Sequence, residues 1–191
     1  MYFKFRKRFN RGLRKYFGRK RAHQRILNQG VQEVLVRNPQ PLLLETGCIR
    51  MLDEGTESTL TIASTLQGAG RFLTFELRPE HIEICRQLCG DLNSHIEYVE
   101  GDSVVNLQRM VASGDLQRVD FAFLDSMNNG DHIWNEFQAL ENSFAPGSIL
   151  VCDDVLWADK GRVLRPYLES SDQWRTRIHN VENGIMVAHR I

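Results

Sequence analysis

The chain has 191 residues, of which 42% are hydrophobic and 25% charged, and its 24 basic side chains equal its 24 acidic ones. That length fits a single domain with a sizeable core, and that composition excludes a disordered, collagen-like or disulfide-stapled protein. No apolar run approaches the ~20 residues that a membrane-spanning helix needs.

The zero formal net charge hides an uneven distribution. Residues 1–32 contain eleven Lys and Arg and no Asp or Glu, so this arm carries +11 and the other 159 residues carry −11. Apolar side chains recur at helical spacing among the basic ones, which predicts a basic amphipathic helix, and a second helical pattern spans about residues 21–36. We therefore expect a basic arm, 1–32, followed by one acidic domain, 33–191.

Beyond residue 40, short apolar runs alternate with helical patterns. Such alternation is typical of a parallel sheet covered by helices on both faces. The last two apolar runs flank a short turn and predict an antiparallel hairpin. The sequence thus predicts an α/β fold with seven strands, five parallel plus a C-terminal antiparallel hairpin. The predicted strands are 42–45, 71–76, 95–99, 119–125, 148–153, 174–180 and 184–190, and the predicted helices are 57–67, 79–92, 104–113 and 132–144.

The cysteine pattern indicates free thiols. The four cysteines, Cys48, Cys85, Cys89 and Cys152, include no CxxC pair. Free thiols suit a reducing compartment, and the basic start of the chain is not followed by the apolar segment of a secretory signal. We therefore expect a cytoplasmic protein.

Each of the five predicted parallel strands ends on at least one carboxylate. Ligands of an open parallel sheet bind beyond the carboxyl ends of its strands, and a purely structural sheet has no reason to gather like charges there. Such a site suits a cationic or hydroxyl-rich ligand, or a metal. It suits a pyrophosphate poorly, and neither GxGxxG nor GxxxxGK[ST] is present. The strand-end residues are Glu45-Thr46-Gly47, Glu76, Gly101-Asp102-Ser103, Asp125-Ser126 and Asp153-Asp154.

Several of these segments resemble a known group. The ETGC segment at 45–48, the loop to Gly55 and the helix that opens on Ser58-Thr59 resemble the first motif of the class I S-adenosylmethionine-dependent methyltransferases. The resemblance extends from about Pro41 to the C-terminus, and it implies a Rossmann-like methyltransferase sheet for residues 33–191. The LDS and CDDVLW segments are similar to those of the metal-dependent small-molecule O-methyltransferases of the catechol and caffeoyl-CoA type.

The resemblance implies S-adenosylmethionine as the cofactor and a role for each strand end. Glu45 and Gly47 would lie against its methionine part, Glu76 would accept both ribose hydroxyls, and Asp125 would lie beside the methyl group. Asp102 and Ser103 would sit at the adenine edge. The cofactor-binding residues implied in this way are Glu45, Gly47, Gly55, Ser58, Glu76, Asp102, Ser103 and Asp125.

The same resemblance implies a metal site. Asp125, Asp153 and Asp154 match the positions that hold a divalent cation in the catechol-type enzymes, and oxygen ligands suit Mg²⁺ or Ca²⁺. Such an ion would lower the pKa of a substrate hydroxyl. The sequence departs from the pattern in two ways: Asp154 stands where the pattern has Asn, and no lysine base follows Asp125. His132 is the nearest replacement, so Asp125 and His132 are the predicted catalytic residues.

The expected function is methyl transfer to a hydroxyl of a small molecule, such as a sugar, a phenol or a natural-product intermediate, with help from a divalent metal. One alternative is a nucleic-acid methyltransferase to which the basic arm delivers RNA, and another is a non-catalytic binding scaffold. Residues 1–25 could also lie on an anionic membrane surface, or pack on the acidic body of their own chain or of a second copy in a homodimer.

Overall fold

The structure is a computed structural model that describes residues 22–50, 57–157, 159–181 and 183–191, and within these ranges a mixed sheet of seven strands forms its centre. The strands are β1 (Leu42–Thr46), β2 (Arg71–Glu76), β3 (Glu97–Glu100), β4 (Val119–Leu124), β5 (Phe144–Cys152), β6 (Trp174–His179) and β7 (Ile185–Arg190). Across the sheet their order is β3-β2-β1-β4-β5-β7-β6. The first five strands are parallel, and β7 is antiparallel to both of its neighbours. The predicted fold is confirmed.

Helices connect the strands much as the sequence predicts. They are α1 (22–37), α2 (Ser58–Leu66), α3 (Pro79–Cys89), α4 (Ser103–Ser113), α5 (Gly130–Leu140) and α6 (Leu164–Ser170). Two predicted helices end early because 3-10 turns follow them, Gly90–His95 after α3 and Glu141–Ser143 after α5. Helix α6 was not predicted, since it is only seven residues long and contains Pro166, a residue tolerated only in the first turn.

The strand order reverses beside β1. The chain moves outward from β1 through β2 to β3, and then returns to place β4 on the other side of β1. In open α/β sheets this reversal leaves a crevice beyond the carboxyl ends of the strands, where ligands bind. The residues that follow β1 and β4 are therefore the ones that the fold presents to a ligand.

Two apolar cores lie on opposite faces of the sheet. Leu43 and Leu44 are consecutive residues of β1 and belong to different cores. Helices α1, α2 and α3 pack on the Leu43 side, and α4, α5 and α6 on the Leu44 side. Every residue of β4 is buried, which explains why its sequence, VDFAFL, is nearly all apolar: a strand covered on both faces does not alternate.

Helix α1 packs into the core on the Leu43 side. Its buried residues Ile26, Leu27, Val31 and Val34 belong to that core. The helix continues through residue 32, where the sequence placed the end of the basic arm. Residues 1–21 hold ten of the eleven positive charges of the arm and lie outside the described residues, so the amphipathic arm stays a prediction.

Two further observations concern membrane-spanning helices and the cysteines. In the part of the chain that the structure describes, no helix is long and apolar enough to cross a membrane. All four cysteines are buried and none is in a disulfide. The cytoplasmic location stays a prediction.

Candidate active site

A cavity of about 260 Å³ opens beyond the carboxyl ends of the parallel strands, at the reversal of strand order. It brings together side chains and backbone from the segments that follow β1, β2, β3 and β4. Six residues that the sequence assigned to cofactor binding or catalysis line it: Gly47, Glu76, Asp102, Ser103, Asp125 and His132.

The segment after β1 forms one wall of the cavity because residue 47 is a glycine. Gly47 has a φ of 84°, and a Cβ added to it would lie 2.5 Å from the backbone oxygen of Asp125. Only glycine adopts this conformation at no steric cost and allows such a close approach of two backbones. The ends of β1 and β4 can therefore meet at the cavity.

Glu76 is the last residue of β2, and its carboxylate oxygens use only part of their hydrogen-bonding capacity. Its Oε1 accepts a hydrogen bond from the backbone N–H of Arg78 at 3.0 Å and lies 3.3 Å from His81 Nδ1. Its Oε2 has one contact among the described residues, the thiol of Cys48 at 3.7 Å. A thiol is a weak donor, so Oε2 retains the capacity to accept a strong hydrogen bond from a ligand.

Asp102 combines a structural contact with a place on the cavity wall. It is the N-cap of α4, and its Oδ1 accepts from the backbone N–H of Val105 at 3.0 Å. Such a cap satisfies one of the free N–H groups at the start of a helix. The side chain that anchors α4 therefore also lines the site.

A buried carboxylate that the sequence analysis did not identify, Glu136 of α5, connects three strand ends. Its Oε1 accepts from Ser103 Oγ at 2.5 Å and from Ser126 Oγ at 2.7 Å, and its Oε2 accepts from Thr46 Oγ1 at 3.1 Å. These three hydroxyls belong to segments at the ends of β3, β4 and β1. We call Thr46, Ser103, Ser126, His132 and Glu136 the Glu136 cluster.

His132 is the charged donor of this cluster. Its Nε2 lies 3.0 Å from Ser103 Oγ and 3.3 Å from Glu136 Oε1, one helical turn along α5. The hydrogen bond to Glu136 raises the pKa of His132 above its ordinary value, although partial burial opposes the rise. This environment favours the protonated ring, and the role of His132 as a base stays a prediction.

Among the described residues, two with a predicted cofactor role, Glu45 and Ser58, do not line the cavity. Glu45 is fully buried, and its Oε1 accepts a hydrogen bond from Thr59 Oγ1 at 2.5 Å. Burial raises the pKa of Glu45 from 4.5 to about 8, which favours a neutral carboxyl group. Ser58 is buried at the start of α2, and Gly55 lies outside the described residues. The cofactor contacts of these three residues stay predictions.

The three predicted metal ligands lie together. Asp125, Asp153 and Asp154 follow the neighbouring strands β4 and β5, and each offers an oxygen within 4.8 Å of the others. We call these three residues the carboxylate cluster. Asp154 adopts a left-handed backbone conformation, with a φ of 57°, and its N–H donates to Asp153 Oδ1 at 2.9 Å.

Two basic side chains from distant segments contact the carboxylate cluster. Lys160 Nζ lies 2.5 Å from Asp125 Oδ1, and the lysine is 1% exposed. His23 of α1 is fully buried, and its Nε2 lies 3.5 Å from Asp153 Oδ2. Neither residue was predicted, because each lies far along the chain from the carboxylate that it contacts.

The proximity of these charges changes their pKa values. Burial raises the pKa of Asp125 to about 6, although Lys160 opposes the rise. Burial alone would also raise the pKa of Asp153, but His23, Lys160 and the backbone of Asp154 hold it below its ordinary value. Burial likewise disfavours the ammonium of Lys160, but the three carboxylates raise its pKa above the ordinary value. The cluster therefore favours a charged lysine among carboxylates.

Comparison with known proteins assigns the chain to a family. A family model described as a methyltransferase domain matches residues 55–155, just over half of the chain. No curated protein sequence matches the chain significantly.

Solved structures with the same fold include several methyltransferases. An O-methyltransferase from Bacillus cereus in complex with SAH has a TM-score of 0.67 at 20% identity, covering 85% of this chain and 80% of its own. The O-methyltransferase TomG from Streptomyces achromogenes, involved in tomaymycin synthesis and solved with SAM, has a TM-score of 0.66 at 18% identity, with 85% and 79% covered. A methyltransferase from Geobacter sulfurreducens has a TM-score of 0.64 at 19% identity, with 88% and 77% covered.

At these identities the structural likeness establishes the fold, and the family match establishes the membership. The chain therefore belongs to the methyltransferase-domain family and has the fold of the class I S-adenosylmethionine-dependent methyltransferases.

Proposed function

We propose that the chain binds S-adenosylmethionine and transfers its methyl group to a hydroxyl oxygen of a small molecule. Membership of the methyltransferase-domain family supports the reaction class. The observation that carries the proposal is the position of Glu76, whose carboxylate faces the cavity from the end of the second strand.

The free capacity of Glu76 suits a ribose. Its Oε1 is held by the backbone N–H of Arg78 and by His81, which fixes the orientation of the carboxylate. Its Oε2 then remains as an acceptor for a ligand hydroxyl, such as one of the hydroxyls of a ribose. S-adenosylmethionine carries positive charge on its sulfonium and ammonium groups, and the carboxylates of Glu76, Asp102 and Asp125 on the cavity wall are suited to face such charges.

The acceptor would approach from the side of Asp125. Asp125 lines the cavity, and Met127, Leu156 and Trp157 are exposed apolar residues in the segments after β4 and β5. Acidic residues next to exposed apolar side chains suit an acceptor with an apolar body and a hydroxyl group. This pattern favours a phenol or another natural-product intermediate over a sugar.

The proposed reaction is a single displacement. The acceptor oxygen attacks the methyl carbon, the bond from that carbon to sulfur breaks, and S-adenosylhomocysteine leaves. The hydroxyl proton passes to Asp125, whose carboxylate lies at this end of the cavity. Holding the two reactants in line supplies much of the rate enhancement in such reactions.

No step of this proposal requires a divalent metal. The carboxylate cluster has the donor chemistry of a metal site, but the ammonium of Lys160 already lies 2.5 Å from Asp125. A divalent cation would meet that positive charge at its own ligand. The expected metal therefore stays a prediction that the arrangement of Lys160 does not favour.

The basic arm adds no observation to this proposal. Binding of RNA or of an anionic membrane by residues 1–25, and homodimer formation, stay predictions, because 1–21 lie outside the described residues.

Calorimetric titration with S-adenosylmethionine tests cofactor binding. We expect E76Q to bind about 10- to 100-fold more weakly than the wild type, since a hydrogen bond to a charged group is worth roughly 1.5–3 kcal/mol. Glu80 is an exposed acid four residues along the chain and does not line the cavity, so E80Q is the matched control and should bind like the wild type. Absence of binding by folded wild-type protein would overturn the proposal.

Formation of S-adenosylhomocysteine with a panel of phenols tests the role of Asp125. We expect D125N to lower turnover by about 10²- to 10⁴-fold, the range for loss of a general base, while its cofactor affinity stays within about threefold of the wild type. D172N removes an exposed acid outside the site and is the control. Full activity of D125N would exclude Asp125 as the base.

A further inference from the structure

We propose that Lys160 is the resident cation of the carboxylate cluster: its ammonium supplies the positive charge that the sequence predicts from a divalent metal ion, and it positions Asp125 at the cavity. Lys160 is a positioning residue, since it does not itself line the cavity and acts through Asp125. The second half of the proposal rests on the proposed function, in which Asp125 faces the acceptor.

The ammonium of Lys160 contacts the cluster through Asp125. Lys160 Nζ lies 2.5 Å from Asp125 Oδ1, and oxygens of Asp125, Asp153 and Asp154 lie within 4.8 Å of one another. The lysine is 1% exposed, so water does little to screen its charge. A buried ammonium is stable only with charged or polar partners, and the three carboxylates provide them.

The backbone on both sides of Lys160 is fixed. On one side, Asp159 Oδ2 accepts a hydrogen bond from the N–H of Gly130 at 3.2 Å, at the start of α5. On the other side, a Cβ on Gly161 would lie 2.1 Å from the backbone oxygen of Val155, so the chain can pass there only with a glycine. These two contacts direct Lys160 into the cluster.

A divalent ion in the same cluster would compete with this lysine. An ion bound to Asp125 would be held within a few ångströms of the ammonium, in a region where the repulsion is poorly screened. Expelling the lysine would break its bond to Asp125 and leave a buried cation without a counter-charge, which is costly. The structure therefore assigns the cation position to the side chain.

A second basic side chain, His23 of α1, faces the negative charge of the cluster. His23 Nε2 lies 3.5 Å from Asp153 Oδ2, on a different carboxylate from the one that Lys160 contacts. Two segments remote in sequence thus bring basic groups to a cluster of three acids. Lys160 holds one carboxylate oxygen of Asp125. The Asp125 side chain is 26% exposed and lines the cavity.

Titration with Mn²⁺ alone, followed by the paramagnetic resonance signal of the free ion, tests this inference on the full chain after treatment with a chelator. We expect the wild type to leave Mn²⁺ free, and K160M to bind one equivalent at least about tenfold more tightly, because removal of a buried counter-charge leaves the acids uncompensated. The double variant K160M/D153N should lose that site. R165M is the matched control, since it removes a positive charge five residues along the chain that pairs with Glu169 outside the cluster.

Two results would overturn the proposal. One is stoichiometric binding of Mn²⁺ by the wild type, and the other is no gain of binding in K160M. If K160M does not fold, K160Q takes its place, because glutamine can still donate a hydrogen bond to Asp125 but carries no charge. The titration requires neither cofactor nor acceptor, so its failure is distinguishable from a failure of the proposed methyl transfer.

Discussion

Two acidic sites lie at the same edge of the sheet and are stabilised in different ways: the buried Glu136, and the carboxylate cluster, of which Asp153 is buried and Asp125 and Asp154 are half-buried. In the Glu136 cluster, one carboxylate accepts hydrogen bonds from three hydroxyls, those of Thr46, Ser103 and Ser126. In the carboxylate cluster, Asp125 contacts Lys160 and Asp153 contacts His23. The single carboxylate of Glu136 is held mainly by hydroxyls, with His132 as its one basic neighbour among the described residues, whereas three adjacent carboxylates repel one another and need more positive charge.

The origin of the partners also differs. The hydroxyls around Glu136 are strand-end residues, which the sheet brings together by itself. The basic partners of the carboxylate cluster come from a helix ahead of the first strand and from the segment after β5. The Glu136 cluster is therefore built by the sheet and α5, while the carboxylate cluster depends on how remote segments pack against the sheet.

Thr46 connects the two groups. Its Oγ1 donates to Glu136 and lies 3.3 Å from the backbone N–H of Asp125, which donates to it. A change in the Glu136 cluster can therefore reach the residue that we place beside the acceptor.

The largest expected effect is on stability, and it comes from replacing one acid in each cluster by its neutral amide. This comparison shows whether a cluster depends on the charge of the acid or only on its hydrogen bonds. We expect D153N to lower the free energy of unfolding by about 3 kcal/mol, because it removes a charge that buried basic groups require. E136Q should cost only about 1 kcal/mol, because an amide oxygen still accepts from the hydroxyls. Urea denaturation at pH 7 measures both. Equal losses for the two variants would show that the clusters are stabilised in the same way.

A second, smaller effect concerns Glu45, a buried acid whose partner is a hydroxyl. Its pKa is about 8 in the folded protein and 4.5 ordinarily, so the folded state binds this proton more tightly than the unfolded state. Stability from this group is therefore lost as pH rises from about 4.5 to about 8 and is constant above that range. We expect E45Q to be about 2 kcal/mol more stable than the wild type at pH 8, with the gain almost gone at pH 5.

Thermal unfolding of E45Q across this pH range is the measurement. The exposed Glu80 offers the control, since E80Q should follow the wild-type profile. A gain of the same size at pH 5 and pH 8 would mean that the charge of Glu45 is not its cause.

The smallest expected effect is the pH dependence of the stability that His132, the charged donor of the Glu136 cluster, contributes. Glu136 raises the pKa of His132, so the stabilisation from this contact is fully present below the ordinary pKa of about 6.5 and is lost as pH rises through the raised value. We expect H132N to lower the free energy of unfolding by up to about 1 kcal/mol more at pH 6 than at pH 9. Denaturation curves at the two pH values measure this difference. A loss that is independent of pH would assign His132 a packing role only.

Much of the fold and part of the site could be predicted from local patterns. The strands were predicted because a sheet buried on both faces needs continuous apolar runs, as in β4, and the acids that follow them fall on one edge once the strands are parallel. Glu76 and Asp125 line the cavity for that reason. Glu45 lies one residue before the end of β1, and its side chain is buried on the Leu43 side of the sheet, where it contacts Thr59 of α2.

The sequence analysis did not identify Glu136 and Lys160 because the residues around them form no motif that marks a functional site. Glu136 lies one turn after His132 on the buried face of α5, and this spacing was the only available indication. Lys160 is 35 residues from the carboxylate that it contacts, in a segment with no periodic pattern. A polar residue in such a segment is ordinarily exposed, so nothing in its neighbourhood marked it as buried.

The sequence by itself determined the succession of the seven strands along the chain, the two-faced core and the edge at which the acids collect, because periodicity and strand ends are properties of consecutive residues. The tertiary structure alone decided which charges face those acids. Lys160 and His23 contact the carboxylate cluster through the packing of distant segments, and an ion pair depends on separation in space, which a linear pattern does not contain.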